Sequence, residues 1–475
     1  MMKGESGQKA ILFGSGDIYG RYKDIAFMSF DVVAVADNNE SLQGKMMDGI
    51  HVISPECIPA LNADVVILMS DSANEMWNQL EEMGYPKNKV MHYKELIGIY
   101  GEYEPKRYKG TGYGRERGGK KVLIITNSLG FHGVSVLSLR AAKCIVKLGY
   151  DVSIAAAYAD DRYIKEANEC GVSVIVQPNM QNASYRNLVW IDDFDLIILN
   201  SAVMTFTALT ISERRKVMLW LHESPWSYKE IWFWHDVIKE RLQKENNILI
   251  YAVSDKARQN FCREYGYERK IDILPVAIED WRTHIRADEA EDREMCFAVI
   301  GSLQIEKGQD VFIDAVERIS NRTNRRGMFW LIGKKTKNDY GKSIYNRAFP
   351  YNNIILYGER SQNELKKLFQ YIDVVVVPSR AETFSMAAAE AMMMGKPCIV
   401  SDECGIGEFI NDGGNGFLFP SEDAESLSEI MKWCILHPDK LQGVGESGRK
   451  TYETFFSMGQ LQKNLEQCLA LLKEN

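Results

Sequence analysis

Pro378-Ser379-Arg380-Ala381-Glu382-Thr383-Phe384-Ser385-Met386-Ala387-Ala388-Ala389-Glu390-Ala391-Met392-Met393-Met394-Gly395-Lys396-Pro397 is the stretch whose reading decides the fold. The run ahead of it, Ile372-Asp-Val-Val-Val-Val377, is short, β-branched and apolar, as a buried parallel strand requires. The run behind Ser385 is rich in Ala, Met and Glu, which favour helix, and Gly395 and Pro397 stop it. Ser385 is placed to cap that helix. A strand, a loop and a helix N-terminus in that order make an anion site, because unpaired N–H groups and the positive dipole end face the same way. Glu382 in the loop and Glu390 within the helix are poor phosphate ligands but good acceptors for hydroxyls. A diphosphate carrying sugars at both ends satisfies all of these groups.

The same strand-then-turn unit recurs upstream. Met295–Ile300 runs into Gly301-Ser302-Leu-Gln-Ile-Glu-Lys307-Gly308, and Gly327–Ile332 and Asn353–Tyr357 are followed by glycines. Lys307 at a strand's carboxyl end suits charge-assisted contacts to a diphosphate. Before this, Val122–Thr126, Tyr150–Ala155, Val172–Val176, Phe194–Leu199, Val217–Leu221 and Ile248–Val253 read as strands, with a helix through Leu139–Leu148. Alternation of this kind predicts a doubly wound parallel sheet with ligands beyond the strands' carboxyl ends. Two features fall there. One is the Gly130–Gly133 loop, where backbone can approach a ligand closely. The other is His222-Glu223, in which Glu223 either orients the imidazole or caps the next segment. Trp226, Tyr228, Trp232, Phe233 and Trp234 follow, either as helix packing or as an aromatic lip for an acceptor sugar or lipid.

At the start, Lys9–Phe13 leads into Gly14-Ser-Gly16-Asp-Ile-Tyr-Gly20, and the next strand, Asp31–Ala36, ends in Asp37. This is a dinucleotide-type turn with one extra residue before the last glycine, and the acidic residue stands about 20 positions on, where a ribose is held. Gly14, Gly16, Gly20 and Asp37 form either a tight βα connection or a nucleotide site. No residue nearby looks like a hydride-transfer base. Between Gly101 and Lys120 the chain turns Gly-, Tyr- and charge-rich, with Lys106, Arg107, Lys109, Arg115 and Arg117. It reads as a linker, serving as a tether or as contact with an anionic acceptor or membrane surface.

With 475 residues, about three domains are expected at ~150 residues each. A net charge of -8 excludes bulk nucleic-acid binding, which needs a basic footprint. Nine scattered cysteines without a CxxC pair imply a reducing compartment and no structural zinc. No apolar leader opens the sequence and no run approaches the ~18 apolar residues of a membrane span. A soluble, cytoplasmic protein is expected, with association at the inner membrane face left open.

From about Lys120 to the end the sequence resembles the retaining glycosyltransferases of the GT-B fold, family 4 (glycosyl transferases group 1). The resemblance rests on Glu382 and Glu390 inside Pro378…Gly395-Lys-Pro397, on Lys307-Gly308, on Gly405…Glu408-Phe-Ile-Asn-Asp-Gly…Asn-Gly416, and on His222-Glu223. Asp37-Asn-Asn-Glu40 and Gly49-Ile-His-Val-Ile-Ser-Pro55-Glu56 resemble small Rossmann-like modules found beside sugar-nucleotide and polysaccharide-synthesis enzymes. The implied architecture is α/β: a Rossmann-like accessory domain at 1–100, a linker at 101–119, and GT-B halves for acceptor and donor at 120–285 and 286–448. A C-terminal helix at 449–475 would cross back, with a hinge near Ala277–Arg286.

The resemblance implies transfer of a sugar from a nucleotide-diphosphate sugar to a carbohydrate, lipid-linked or protein acceptor, in polysaccharide, glycolipid or other glycoconjugate synthesis. It implies attack on the leaving group's own face, with no metal, no further cofactor and no side-chain base. Lys307 would hold the diphosphate, Glu390 the ribose, and Glu382 the donor sugar. Gly301, Ser302 and the N–H groups around Phe384, Ser385 and Met386 would lie near phosphate and sugar, with Gly133 and His222 facing them across the cleft. Three positions depart from the family's pattern: Ser302 stands where Arg is frequent, Ser385 where Gly is common, and Pro275-Val-Ala277 where Pro-Asn-Gly is usual. Competing readings are a phosphorylase or hydrolase on the same fold, an NAD(P)-dependent dehydrogenase built on Gly14–Gly20, and a non-catalytic sugar-nucleotide sensor.

Overall fold

The computed structural model describes residues 7–111, 119–130, 133–282, 293–320, 327–336 and 338–473. Three α/β units follow one another, each built on its own sheet. The first sheet runs Met46–Met47, Ile50–Ile53, Asp31–Ala36, Lys9–Phe13, Val65–Leu68, Val90–His92, and is parallel except for its first pair. The second has eight strands in the order Asp272–Ile273, Ile248–Ala252, Val217–Leu221, Leu196–Asn200, Lys121–Ile125, Asp151–Ala156, Ser173–Val176, Lys106–Tyr108. The third, Ile354–Gly358, Gly327–Ile332, Met295–Ile300, Val374–Val377, Cys398–Ser401, Phe417–Phe419, is parallel throughout. Parallel pairing needs crossover helices, which cover both faces and bury the strands; Val217–Leu221 and Val374–Val377 are accordingly buried at every position.

The segment read as a linker is partly structured. Lys106–Tyr108 adds an antiparallel edge to the middle sheet, pairing with Val174, Ile175 and Val176. Gly110 N–H donates to Ser173 Oγ and Thr111 N–H to the Asn168 carbonyl, so the chain leaves the first unit along the second. Arg115 and Arg117 lie outside the described residues.

Aromatic residues explain how the first unit docks. Tyr228 and Trp234 are buried, and Trp234 stacks on Phe206 at 3.7 Å and donates to Asn182 Oδ1. Phe233 stacks on His92 of the first unit at 4.5 Å, with ring planes 12° apart. These three rings therefore pack inward instead of forming a lip; burying them removes far more apolar surface from water than an exposed rim would. The side chains of Trp226 and Trp232 lie outside the described residues. Beside the rings, Asn187 Nδ2 donates to the carbonyls of Gly98 and Gly101, and Ser184 N–H also donates to Gly98. Gly98 sits so close that a Cβ there would lie 2.0 Å from the Asn182 carbonyl oxygen.

At the other end the chain returns. A π-helical turn, Tyr452–Phe456, precedes the helix Met458–Lys473, which packs against the middle unit's Gly133–Lys147 helix. Ile278 is stitched to this crossing by its N–H to the Phe456 carbonyl and by Tyr452 Oη to its own carbonyl, at 2.8 and 2.9 Å. The hinge read at Ala277–Arg286 is described as far as Arg282; 283–286 lie outside.

Candidate functional site

Thr126, Ser201 and His222, each just past a strand of the second sheet, line shared cavities with Lys307 and Glu382 of the third unit, and Ser385, Met386 and Glu390 line cavities with Gly133 across the same cleft. Gly308 brings the lysine turn onto the opening strand, where a Cβ would stand 1.9 Å from the Pro378 carbonyl oxygen. Lys307 forms an ion pair with Glu382 across that approach. Burial draws the ammonium down, but the Glu382 charge and hydrogen bond outweigh it, and Lys307 is held above its ordinary value as a cation. Arg380 fixes the loop from behind through both Asp310 oxygens, Glu422 and the Ile305 carbonyl.

The Met386–Met394 helix begins at Ser385, whose Oγ accepts from the Ala388 N–H at 3.3 Å. Ser385 has φ +93°, a backbone state that a Cβ disfavours. The cleft thus imposes a glycine conformation on a serine. Within that helix Glu390 is 8% exposed, and burial pushes its carboxyl up to about 7 while Arg140 and Lys366 draw it down.

Facing these groups, His222 is buried at the end of Val217–Leu221, and full burial pushes its imidazole down to about 3. The Asn200 amide nitrogen donates to Ser138 Oγ and the Val134 carbonyl, so its Oδ1 is the acceptor 2.5 Å from His222 Nε2. The proton therefore sits on Nε2, leaving Nδ1 as an acceptor. Glu223 caps an earlier segment than the one expected: its carboxylate accepts from the Ala202 N–H that opens the Ala202–Met204 turn, from Ser201 Oγ and from the His222 backbone N–H. Thr383 Oγ1 donates to the His222 carbonyl at 2.7 Å, tying the two walls at the cleft's base. Ser254 Oγ donates to the Thr383 carbonyl nearby, and Glu408 accepts from the Asp255 N–H at 2.8 Å.

Three adjoining cavities occupy the cleft. The first, about 410 Å3, is lined by His222, Glu382, Lys307, Ser128, Ser201 and Thr383 among others. The second, about 230 Å3, shares Lys307 and Glu382 with it and adds Gly133, Ser379, Ser385 and Met386. The third, about 780 Å3, shares Gly133 and Met386 with the second and adds Glu390, Arg140 and Arg360. Phe384 is buried, packed edge-on against Phe456 at 5.1 Å. Gly301 and Ser302 do not line these cavities. Gly301 lies under the Lys307 stem and Ser302 Oγ donates to Gln304 Oε1, and it is Gln304 that reaches the first cavity. Phe131 and His132 lie outside the described residues.

None of Gly14, Gly16, Gly20 and Asp37 lines these three cavities, and the N-terminal glycine turn is differently built. Gly14 has φ +105° and its N–H donates to the Ala36 carbonyl. Gly16 caps the Asp17–Ser29 helix, and Gly20 lies inside it. Asp37 Oδ2 accepts from both the N–H and Oγ of Ser15, and Oδ1 from the Asn39 N–H, so its oxygens tie its loop to the glycine turn.

Arg140 is a residue that the motifs do not point to. It lies inside a helix of ordinary pattern, and only its burial in the cavity wall marks it. Thr383, Ser128 and Ser201 were likewise missed, because small hydroxyls at strand ends carry no spacing signal.

Residues 282–451 match the family model described as glycosyl transferases group 1, and residues 6–91 match one described as C2185-like, N-terminal. The uncharacterized glycosyltransferase MJ1607 of Methanocaldococcus jannaschii is 26% identical over 201 residues, which is 40% of this chain and 51% of that protein. The chain spans about half the length, or less, of the first curated relatives it matches. A glycosyltransferase structure from Rickettsia africae aligns with a TM-score of 0.63 at 16% identity, covering 75% of this chain and 99% of its own. Anabaena Alr3699/HepE, solved in complex with UDP-glucose, aligns at 0.61 and 19% identity, covering 74% and 100%. The fold is that of GT-B glycosyltransferases, with an additional N-terminal α/β unit. Among the described residues no helix is long and apolar enough to cross a membrane.

Proposed function

We propose that this protein is a retaining glycosyltransferase that moves a sugar from a nucleotide-diphosphate sugar to a hydroxyl of a glycoconjugate acceptor. The observation that carries the reading is the convergence on one cleft of Lys307, the Met386 helix N-terminus, Glu382, Glu390, Gly133 and His222, lining three adjoining cavities. The middle cavity suits a diphosphate: it joins a lysine cation, a helix N-terminus and a glycine without side chain. Glu390 in the largest cavity is placed for ribose hydroxyls, and His222 and Glu382 in the first for a sugar. The relatives described as glycosyltransferases and the UDP-glucose complex of a structural neighbour support the same assignment.

In the reaction the bond between the anomeric carbon and the diphosphate oxygen breaks. The acceptor oxygen bonds to that carbon on the same face, and its proton passes to the leaving phosphate oxygen. Negative charge grows on the diphosphate, where Lys307 and the helix N-terminus stabilise it without metal assistance. His222 is neutral at working pH, so it acts as a hydrogen-bond acceptor for a donor-sugar hydroxyl and supplies no charge. Glu382 orients the sugar while holding Lys307. The chain's place is the cytoplasmic side, in polysaccharide or glycolipid assembly, where activated sugars are made.

Thermal-shift titration with UDP-, GDP-, ADP- and CMP-sugars and NAD(P)H, followed by product analysis, tests this. A melting rise with one nucleotide sugar and transfer with retained anomeric configuration are expected. Turnover only with free phosphate or water would replace the reading by a phosphorylase or hydrolase, binding without turnover by a sensor, and a response to NAD(P)H alone by a dehydrogenase.

A further inference from the structure

Arg140 and Glu390 are buried groups of opposite charge from opposite sides of the cleft, lining one cavity. Arg140 is 3% exposed, and its guanidinium donates to the Ala277 carbonyl, 2.7 Å from Nη1. Among the described residues it has no carboxylate within ion-pair distance, and Glu390 has no hydrogen-bond partner. Leaving two such charges uncompensated in a protein interior is costly, so their placement on one cavity has electrostatic consequences.

The other charges facing Glu390 are otherwise engaged. On Arg140's own helix Lys143 is 3.5 Å from both Glu166 and Glu279, and Arg162 pairs with Asp160. Arg360 donates to the Glu359 carbonyl, and Lys366 lies over the Trp281 ring at 5.1 Å. Glu166, Glu279 and Glu359 add like charge, and Tyr163 and Tyr452 add phenols held neutral by burial. Lys366 also favours the Glu390 anion, and Arg140 is the buried cation that does so more strongly.

We propose that Arg140 is a positioning residue that acts on Glu390 from across the cleft, favouring its anionic form at the nucleoside end of the site. Its consequence for ligand affinity rests on the donor-site reading of Glu390; the pairing itself does not.

Carboxyl NMR of protein labelled at glutamate Cδ, with Glu390→Gln assigning the signal, reads the pairing without any ligand. In the wild type Glu390 is expected to titrate near 7. Arg140→Gln keeps a donor for Ala277 and removes the charge, and should raise the midpoint by at least about one pH unit. Arg140→Lys should restore it. An unchanged midpoint in Arg140→Gln overturns the proposal. Arginine Nε spectra of unmutated Arg140, assigned by Arg140→Lys, provide a second measurement should Arg140→Gln not fold. The signal should move with the Glu390 midpoint and stand still in Glu390→Gln; a signal indifferent to pH between about 6 and 8 overturns the proposal equally. UDP affinity should rise with pH through the same midpoint, and at higher pH in Arg140→Gln. UDP affinity indifferent to pH, with the carboxyl shift intact, would count against the donor reading and leave the Arg140–Glu390 pair standing.

Discussion

Two strand-to-helix turns in this chain share a plan and differ in what their acidic residues are free to do. At Gly14–Gly20, Asp37 spends its oxygens on Ser15 and Asn39. At Pro378–Met386, Glu382 turns outward to the lysine of a neighbouring turn, and Glu390 faces a cavity with no side-chain hydrogen bond among the described residues. A carboxylate consumed by the loops it ties together stabilises them; one buried without a hydrogen bond is a cost that a ligand can relieve. The motif alone does not separate the two cases, because both offer glycine or serine, a helix N-terminus and an acid.

The widest separation should come from charge removal. Lys307→Ala is expected to lower kcat/KM by at least about 100-fold, the scale for a lost donor to developing negative charge. Asp37→Ala should leave it within about twofold in the same steady-state assay. Comparable losses in both would erase the distinction between the turns.

Glu390→Gln should weaken nucleotide binding about tenfold, as loss of a charged hydrogen bond does, measured by calorimetry. It should also stabilise the free protein at pH 8. The folded carboxyl is raised from its ordinary 4.5 to about 7, so its stability contribution is intact below 4.5 and is lost as pH rises through 7. Removing the charge should recover up to about 3 kcal/mol at pH 8 and little at pH 5. A melting gain equal at both pH values would place the effect elsewhere.

Docking of the first unit can be broken at Gly98. Gly98→Val drives a side chain into the Asn182 carbonyl and should cost about 1–3 kcal/mol, read as an earlier, separate melting step and faster proteolysis near residues 101–111. An unsplit transition with unchanged proteolysis would mean that the rings of His92 and Phe233 suffice alone. Ser385→Gly is the smallest change: it relieves the positive φ and loses only part of a cap, so a gain of about 0.5–1 kcal/mol is expected from denaturant unfolding. Destabilisation would show that the Ser385 hydroxyl contributes more than its backbone strain costs.

Much of the fold was legible because parallel strands buried on both faces leave apolar runs that period and length identify. Asp31–Ala36, Val217–Leu221, Met295–Ile300 and Gly327–Ile332 stand where the sequence places them. Lys106–Tyr108 escaped notice because an exposed, charged edge strand has no apolar signature, and its pairing is decided by the neighbour it meets. The aromatic run at 226–234 left both packing and lip open. Only the presence of His92 and Phe206 beside Phe233 and Trp234 settled the described rings, since an amphipathic ring can face protein or water alike.

By itself the sequence determined the local units: alternating strands and helices, turns that put Lys307, His222 and Glu382 at strand ends, and a serine cap on the Met386 helix. Tertiary structure decided which of those ends face each other. It set Lys307 against Glu382, His222 above Thr383, and Arg140 in one cavity with Glu390, and it bound Asp37 to Ser15. Local propensity acts over a few residues, whereas the ionisation and accessibility of a side chain depend on charges and burial supplied from distant parts of the chain.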